Sequence, residues 1–491
     1  MKRNLCLLLT LLLLGSNFAS CAEESKPDES AAPAAPAVSA EAEIAEEIAE
    51  EAEISPLDTL EAKDFSGAVY TIFDINTSNG LQVNIPEDEM NGESVNDALI
   101  TRDIAIEDRY NVSVEYIQET NGTNGVNTLK SSVAAGESIY NLMIAKILDV
   151  QKVCASGGYL NNLYALPYME ISQKWYSPLM TDALTLNNTT FFTASDLAPS
   201  VYQSACCMFL NLELYEDYNI STDIYQLVLD GKWTLDALSE LQKGIDEDIN
   251  GDNVWKAVDD RFGVALQPTV ETATAFLAAA DASLCKLSED GSSLVLAGTN
   301  ERTFDIVQKL SSFCLNIQYT DINDVINQCF KVNKALFLQH KLESAATHLR
   351  DMEADYLVLP TPKADEAQER YLSMVSGYCS SFIGIPITAE PELTGFITEA
   401  LARYSHTYMR PLAYETAYKN KNARDARTAD VLDMLFDNLY IDFGICYDFG
   451  SVNSTAASAI FLGAEFSSGL KQAERVFQKT ADRHVKDWIV E

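Results

Sequence analysis

A chain of 491 residues with 73 Asp and Glu against 34 Lys and Arg carries a formal charge of −39, which excludes a nucleic-acid partner because two polyanions repel. Its hydrophobic fraction of 47% supports a real core, and its length is too great for one simple core and suits two lobes. The ten cysteines include no Cys-x-x-Cys pair and no metal-ligand spacing. Most of those in the body stand among apolar residues, where a thiol behaves as a small hydrophobe.

The chain starts with Lys2 and Arg3, then an apolar run from Leu5 to Leu14, then Phe18-Ala19-Ser20-Cys21. A positive start, a short apolar segment and small residues before a cleavage point predict a secretory signal peptide over 1–20, since the run is too short to span a bilayer. Cys21 directly after Ala-Ser predicts lipidation there, with Phe18 where Leu is usual. The other reading is an ordinary signal with an incidental cysteine. Residues 21–56 are nearly all Ala, Glu, Pro and Ser without an aromatic; they predict a disordered acidic tether, because they offer too little apolar surface to offset ordering entropy.

Beyond the tether, strand and helix signals alternate. A β-rich run covers 68–73. Helical spacing over 95–109 includes Ile100, Ile104 and Ala105, Asn111 breaks it, and 112–117 alternates as a strand. This order predicts a βαβ unit with parallel strands. A strand over 141–147 precedes a helix from Val150 that ends near Gly157 and Gly158, and Pro167 and Pro178 punctuate a loop. Further strands are expected over 206–211, 335–339, 356–360 and 382–387. Helices are expected over 235–245, N-capped by Thr234, and over 392–408 and 429–440.

One acidic loop has metal-ligand spacing. Asp248, Asn250 and Asp252 fall at positions one, three and five, Val254 offers a carbonyl at seven, and Asp259 falls at twelve. Side chains at alternate positions of a tight loop converge on one point, which suits Ca²⁺. Asn253 stands where Gly is usual and Asp259 is shorter than the usual Glu. Read without an ion, the stretch is a surface turn of Asp, Asn and Gly. Catalytic motifs are missing: His340, His348, His406 and His484 form no HExxH, and there is no GxSxG elbow or P-loop. With 73 carboxylates, acidic pairs arise by chance and argue for no glycosidase dyad.

Five blocks carry a resemblance by their order and spacing. They are Ile104-Ala-Ile-Glu-Asp-Arg-Tyr-Asn-Val-Ser-Val114; Gly158-Tyr-Leu-Asn-Asn-Leu163 leading to Trp175; Phe209-Leu-Asn-Leu-Glu-Leu-Tyr215 with Asp230-Gly-Lys-Trp-Thr-Leu-Asp236; Leu349-Arg-Asp-Met-Glu353 running to Val358-Leu-Pro-Thr-Pro-Lys363; and Tyr414-Glu-Thr-Ala-Tyr-Lys419 with Arg424-Asp425. Across nearly the whole body the sequence resembles the extracellular solute-binding proteins of bacterial ABC importers, family 1-like and of the carbohydrate type.

The resemblance implies an α/β, two-lobed periplasmic-binding-protein-like fold (type II) with its ligand cleft between the lobes. It implies lobe one from 64–196 plus 331–383 and lobe two from 197–330 plus 384–491. The partners it implies are a small-molecule solute, most readily a sugar, and ABC permease subunits, with the membrane reached through the lipid on Cys21 at the extracellular face. No cofactor is required beyond a structural Ca²⁺ in the acidic loop. Segments expected to end at the cleft supply the ligand-binding candidates Lys146, Asp149, Trp175, Tyr176, Asp196, Tyr202 and Tyr378; aromatic faces stack on sugar rings and polar groups orient them. For each aromatic, core packing is the competing reading. A secreted glycan-active enzyme and a calcium-dependent surface interaction protein are the other two classes.

Overall fold

The computed structural model describes residues 55–75, 94–154, 157–198, 200–314, 325–412 and 427–488. The signal peptide, Cys21, the tether up to Ile54, and the block from Tyr414 to Asp425 lie outside them.

The first sheet grows from β1 (Ala68–Ile75), whose sequence AVYTIFDI is buried from Tyr70 onward. The helix Ser94–Tyr110 returns the chain, and Asn111 ends it in a left-handed conformation (φ 49°). The chain then pairs β2 (Val112–Gln118) parallel to β1, while β3 (Leu142–Lys146) pairs parallel on the other side. The expected βαβ unit is therefore present. Side chains alternate across both central strands: Tyr70, Ile72, Leu142 and Ile144 face one core, and Phe73, Ile75, Met143 and Ala145 the other.

The second sheet is centred on β4 (Cys206–Asn211), every residue of which is buried. Such a strand needs covering on both faces and partners on both edges. In sheet order the strands are β5 (Phe262–Ala265), β8 (Ala335–Lys341), β4 and β9 (Tyr356–Pro360), with β4 antiparallel to β8 and β9. Two small ladders complete the set, β6 (Cys285–Leu287) with β7 (Leu294–Leu296), and β10 (Ser373–Met374) with β12 (Leu439–Tyr440). Finally β11 (Ser381–Gly384) rejoins the first sheet antiparallel to β3.

This topology corrects the expected division of the chain. β8 and β9 fall within 331–383, expected in lobe one, yet they flank β4 in the second sheet. The helix Pro391–Tyr408, expected in lobe two, covers the first sheet. There Tyr70 and Thr398 share a 2.7 Å hydrogen bond, and the Phe396 ring meets those of Phe65, Tyr110 and Tyr168 at 5.5, 4.9 and 5.3 Å. The reason is pairing: β4 takes its edge partners from whichever later strands fit its apolar faces, and the return crossing comes only at β11.

Local signals are obeyed elsewhere. Thr234 Oγ1 accepts the Ala237 amide, capping a helix that ends earlier than expected, at Leu241. Trp233 is fully buried beside it, with Nε1 donating to the Pro360 carbonyl at 2.8 Å. Cys154, Cys206, Cys207, Cys285, Cys329, Cys379 and Cys446 are free thiols, all buried except the half-buried Cys379. The last long helix, Phe466–Trp488, reaches back to the first lobe. Trp488 donates to the Thr189 carbonyl at 2.9 Å and its ring meets Phe191 and Phe192 at 4.8 and 5.8 Å.

The helix Pro391–Tyr408 lies so close to the loop at Pro167 that a Cβ on Gly395 would collide with the Pro167 backbone carbonyl. Gly395→Ala is therefore expected to destabilise the protein by about 1–3 kcal/mol, the usual cost of forcing a methyl into a packed core, read as a lower urea midpoint with an unchanged slope.

Candidate ligand-binding cleft

The carboxyl ends of β1, β2 and β3 bring Asp74, Gln118 and Lys146 to one edge of the first sheet, beside Ser381 at the start of antiparallel β11. On the second sheet the ends of β5, β8 and β9 meet the start of β4, bringing together Ala265, Lys341, Pro360 and Cys206. The chain crosses between the sheets at these two edges. In one crossing the helix Ser200–Gln203 leads to β4; in the other, Ser376 to Ser381 leads to β11. The crossings are tied together, Ser376 N donating to the Ser204 carbonyl at 2.9 Å and Ser381 N to Ser200 Oγ at 3.0 Å. Gly377 sits against Ile147, which follows Lys146; an added Cβ would stand 2.5 Å from its Cγ2. Strand carboxyl ends beside a crossing are where open α/β folds bind ligands.

The polar groups at the first edge are only partly satisfied. Asp74 is fully buried. Its Oδ2 receives a long 3.4 Å hydrogen bond from Gln118, and its Oδ1 has no partner among the described residues. Burial pushes its carboxyl up to about 7. Asp149, also buried, pairs one oxygen with Lys152 Nζ at 2.7 Å and leaves Oδ2 without a described partner. It lies against Gly122, at the start of the helix Gly122–Ala134, so closely that any side chain there would strike the carboxylate. Lys146 is half-buried at the end of its strand.

Across the crossing, Lys341 Nζ pairs with Glu343 Oε1 at 2.8 Å and stands 3.0 Å from Cys379 Sγ. Ser376 Oγ hydrogen-bonds Glu271. Tyr378, in the same crossing, is 56% exposed.

Of the seven ligand candidates, Lys146, Asp149 and Tyr378 therefore share one locality. The others lie elsewhere. Tyr176 is fully buried and donates to Glu399 at 2.8 Å. Trp175 is half-buried, with the Arg403 guanidinium 4.8 Å from its ring centroid. Asp196 is buried and paired with His406 Nδ1 at 2.5 Å. These three pack with the helix Pro391–Tyr408. Tyr202 is buried edge-on to Phe436 at 4.8 Å. Asp74, Gln118, Glu271, Lys341 and Glu343 were not singled out from sequence. Asp74 and Lys341 do carry a usable signal, being polar residues just beyond the apolar runs 68–73 and 335–339.

The acidic loop closes on itself. Asp248 accepts the amides of Gly251 and Asn253, Asn250 that of Asp252, and Asp252 that of Val254. Lys256 Nζ lies 3.7 Å from Asp252 and 3.5 Å from Asp259. Asp260, wholly buried next to the expected ligand Asp259, clamps the loop by accepting the Ile249 and Lys256 amides. Among the described residues no group of three or more His, Cys, Asp or Glu is arranged to hold a metal ion.

With this geometry in hand, comparison with solved structures decides the fold. A cyclo/maltodextrin-binding protein complexed with maltotetraose matches over 84% of this chain and 97% of its own, with a TM-score of 0.56 and 12% identity. The fold is that of the two-lobed periplasmic binding proteins. A cyclic alpha-maltosyl-1,6-maltose binding protein from Arthrobacter globiformis matches 86% of this chain and all of its own (TM-score 0.53, 11% identity). A family 1 extracellular solute-binding protein from Bifidobacterium longum subsp. infantis matches 84% and all of its own (TM-score 0.52, 11% identity). No family model and no curated protein matches the sequence. Asp74, Lys146 and Asp149 on the first sheet, and Glu271 and Lys341 on the second, therefore form the candidate site, beside the two crossings.

Asp74 gives the cleft a pH signature. Folding raises its carboxyl above the ordinary value of 3.8. Its contribution to stability is therefore full below that value and is lost as pH rises toward about 7. Asp74→Asn is expected to remove this fall, so that urea-unfolding free energies decline less with rising pH across the window than those of the wild type.

Proposed function

We propose that this chain is the solute-binding component of an ABC importer, capturing an extracellular sugar or oligosaccharide by closing its lobes and delivering it to a membrane permease. The observation that carries the reading is the pair of edges beside the crossings, with buried carboxyls at Asp74 and Asp149 that each keep one oxygen without a described partner, near the exposed Tyr378. Sugar hydroxyls donate to such oxygens and a sugar face stacks on such a ring. The structural neighbours described above are named for binding maltodextrin and a cyclic maltose oligomer, which supports a carbohydrate ligand. The protein is read as a binder and not an enzyme. Lipidation of Cys21 would hold it at the extracellular face of the cytoplasmic membrane, with residues 22–56 as the spacer.

Two measurements test this. Maltooligosaccharides should raise the melting temperature of the purified protein without being consumed, ligand at 100 times its Kd adding about 2.7 kcal/mol. Asp149→Ala should weaken binding by calorimetry roughly 10- to 100-fold, the equivalent of about 1–3 kcal/mol for a lost buried hydrogen bond. Turnover of the sugar would favour a glycan-active enzyme, and no shift with any sugar would remove carbohydrate as the ligand class. For the anchor, Cys21→Ala should move the protein from the membrane fraction to the medium.

A further inference from the structure

Lys341 and Cys379 meet where the second sheet faces the crossing into the first lobe. Backbone pairing holds both in place. Lys341 is the last residue of β8, in register with Cys206, and the next amide, Leu342 N, donates to the Ala205 carbonyl at 2.9 Å. Cys379 sits in a tight turn whose amides, Cys379 N and Ser380 N, donate to the Ser376 carbonyl at 3.3 and 2.9 Å. The amine and the thiol are 3.0 Å apart. Glu343 Oε1 lies 2.8 Å from Nζ and 4.0 Å from Sγ. The Lys341 side chain is only 16% exposed, so it has little freedom to turn away. Cys379 is half-buried while Cys154, Cys206, Cys207, Cys285, Cys329 and Cys446 are buried, so a small oxidant reaches this thiol before those six.

We propose that Lys341 and Cys379 are a modification site at which peroxide forms a covalent nitrogen–oxygen–sulfur bridge. The cysteine sulfur attacks hydrogen peroxide: an S–O bond forms, the O–O bond breaks, water leaves, and sulfur is oxidised to the sulfenic acid. Glu343 takes the ammonium proton of Lys341 and passes it to solvent. A second peroxide then oxidises the amine and the sulfenic acid together. The N–O bond forms, the nitrogen and the sulfenic oxygen each lose a hydrogen, and that peroxide becomes two waters. In all, one thiol, one amine and two peroxides give one bridge and three waters. Excess dithiol reverses the oxidation, returning thiol, amine and water.

The bridge ties the end of β8 to the crossing whose Gly377 rests on Ile147. It also removes the Lys341 charge from the cleft edge and leaves Glu343 without its ion pair. Any effect on solute capture rests on the solute-binding reading; the covalent bond does not.

The test is peptide mass mapping of the purified full chain after hydrogen peroxide treatment. A linked peptide joining Lys341 to Cys379 is expected, about 14 Da heavier than its two parts for one oxygen gained and two hydrogens lost. It should vanish after dithiothreitol, be absent from Cys379→Ser and Lys341→Arg, and form faster as pH rises and the ammonium deprotonates. Cys379 found as a sulfinic acid, or in a disulfide with Cys206, while Lys341 stays unmodified would overturn the proposal. Because the readout is a mass, it stands or falls independently of any sugar titration.

Discussion

The Arg102 guanidinium is wholly buried, and four groups from four parts of the chain receive its protons. It donates to Asp103 on its own helix at 2.8 Å, to the Tyr116 hydroxyl on β2 at 2.9 Å, to the Leu197 carbonyl at 2.9 Å, and to Ser405 on the helix Pro391–Tyr408 at 3.3 Å. A buried charge is tolerated only when so surrounded, and removing its partners costs several kcal/mol. The arrangement therefore acts as a single joint. It fixes the first helix against β2, docks the helix that covers the sheet, and holds the chain just before it leaves for the second lobe.

From that joint the position of the cleft follows. The chain leaves the first lobe after Leu197 and re-enters at Ser381, and the segments between are hydrogen-bonded to each other at Ser204 and Ser200. Both sheets consequently turn their polar strand ends toward the same crossings. The chemistry collected there is incompletely satisfied. Asp74 is buried with an incomplete set of donors and so disfavours its own charged form, a cost the apolar faces of β1 and β3 offset. The net charge of the chain, by contrast, says nothing about the cleft.

How far the sequence could be read depended on whether a signal was local. The strands β1, β2, β4 and β9 and the cap at Thr234 were legible, because a short apolar or alternating run and a side-chain oxygen before a helix are properties of a few adjacent residues. The blocks around Phe209 and Val358 pointed to the fold through their order and spacing with the other three. Trp175 and Tyr176 looked like cleft residues because they follow a proline-marked loop, and Asp196 because it flanks the first expected crossing, yet they pack with Arg403, Glu399 and His406, more than 200 positions away. Nothing near them in sequence announces those partners. In the acidic loop, likewise, the Asp260 clamp on the Ile249 and Lys256 amides and the approach of Lys256 to Asp252 and Asp259 are contacts that the ligand-like spacing does not announce.

By itself the sequence determined the alternation of strands and helices, the parallel βαβ start, an acidic chain unsuited to nucleic acid, and two of the polar groups beside the first crossing, Lys146 and Asp149. Only the tertiary structure decided which sheet β8 and β9 join, that the helix Pro391–Tyr408 belongs to the first lobe, and which aromatics are buried. Periodicity tells a strand which face to bury but not which partner to choose. That choice is made by the fit of apolar faces and by buried groups such as Arg102 that must find donors and acceptors across long stretches of chain.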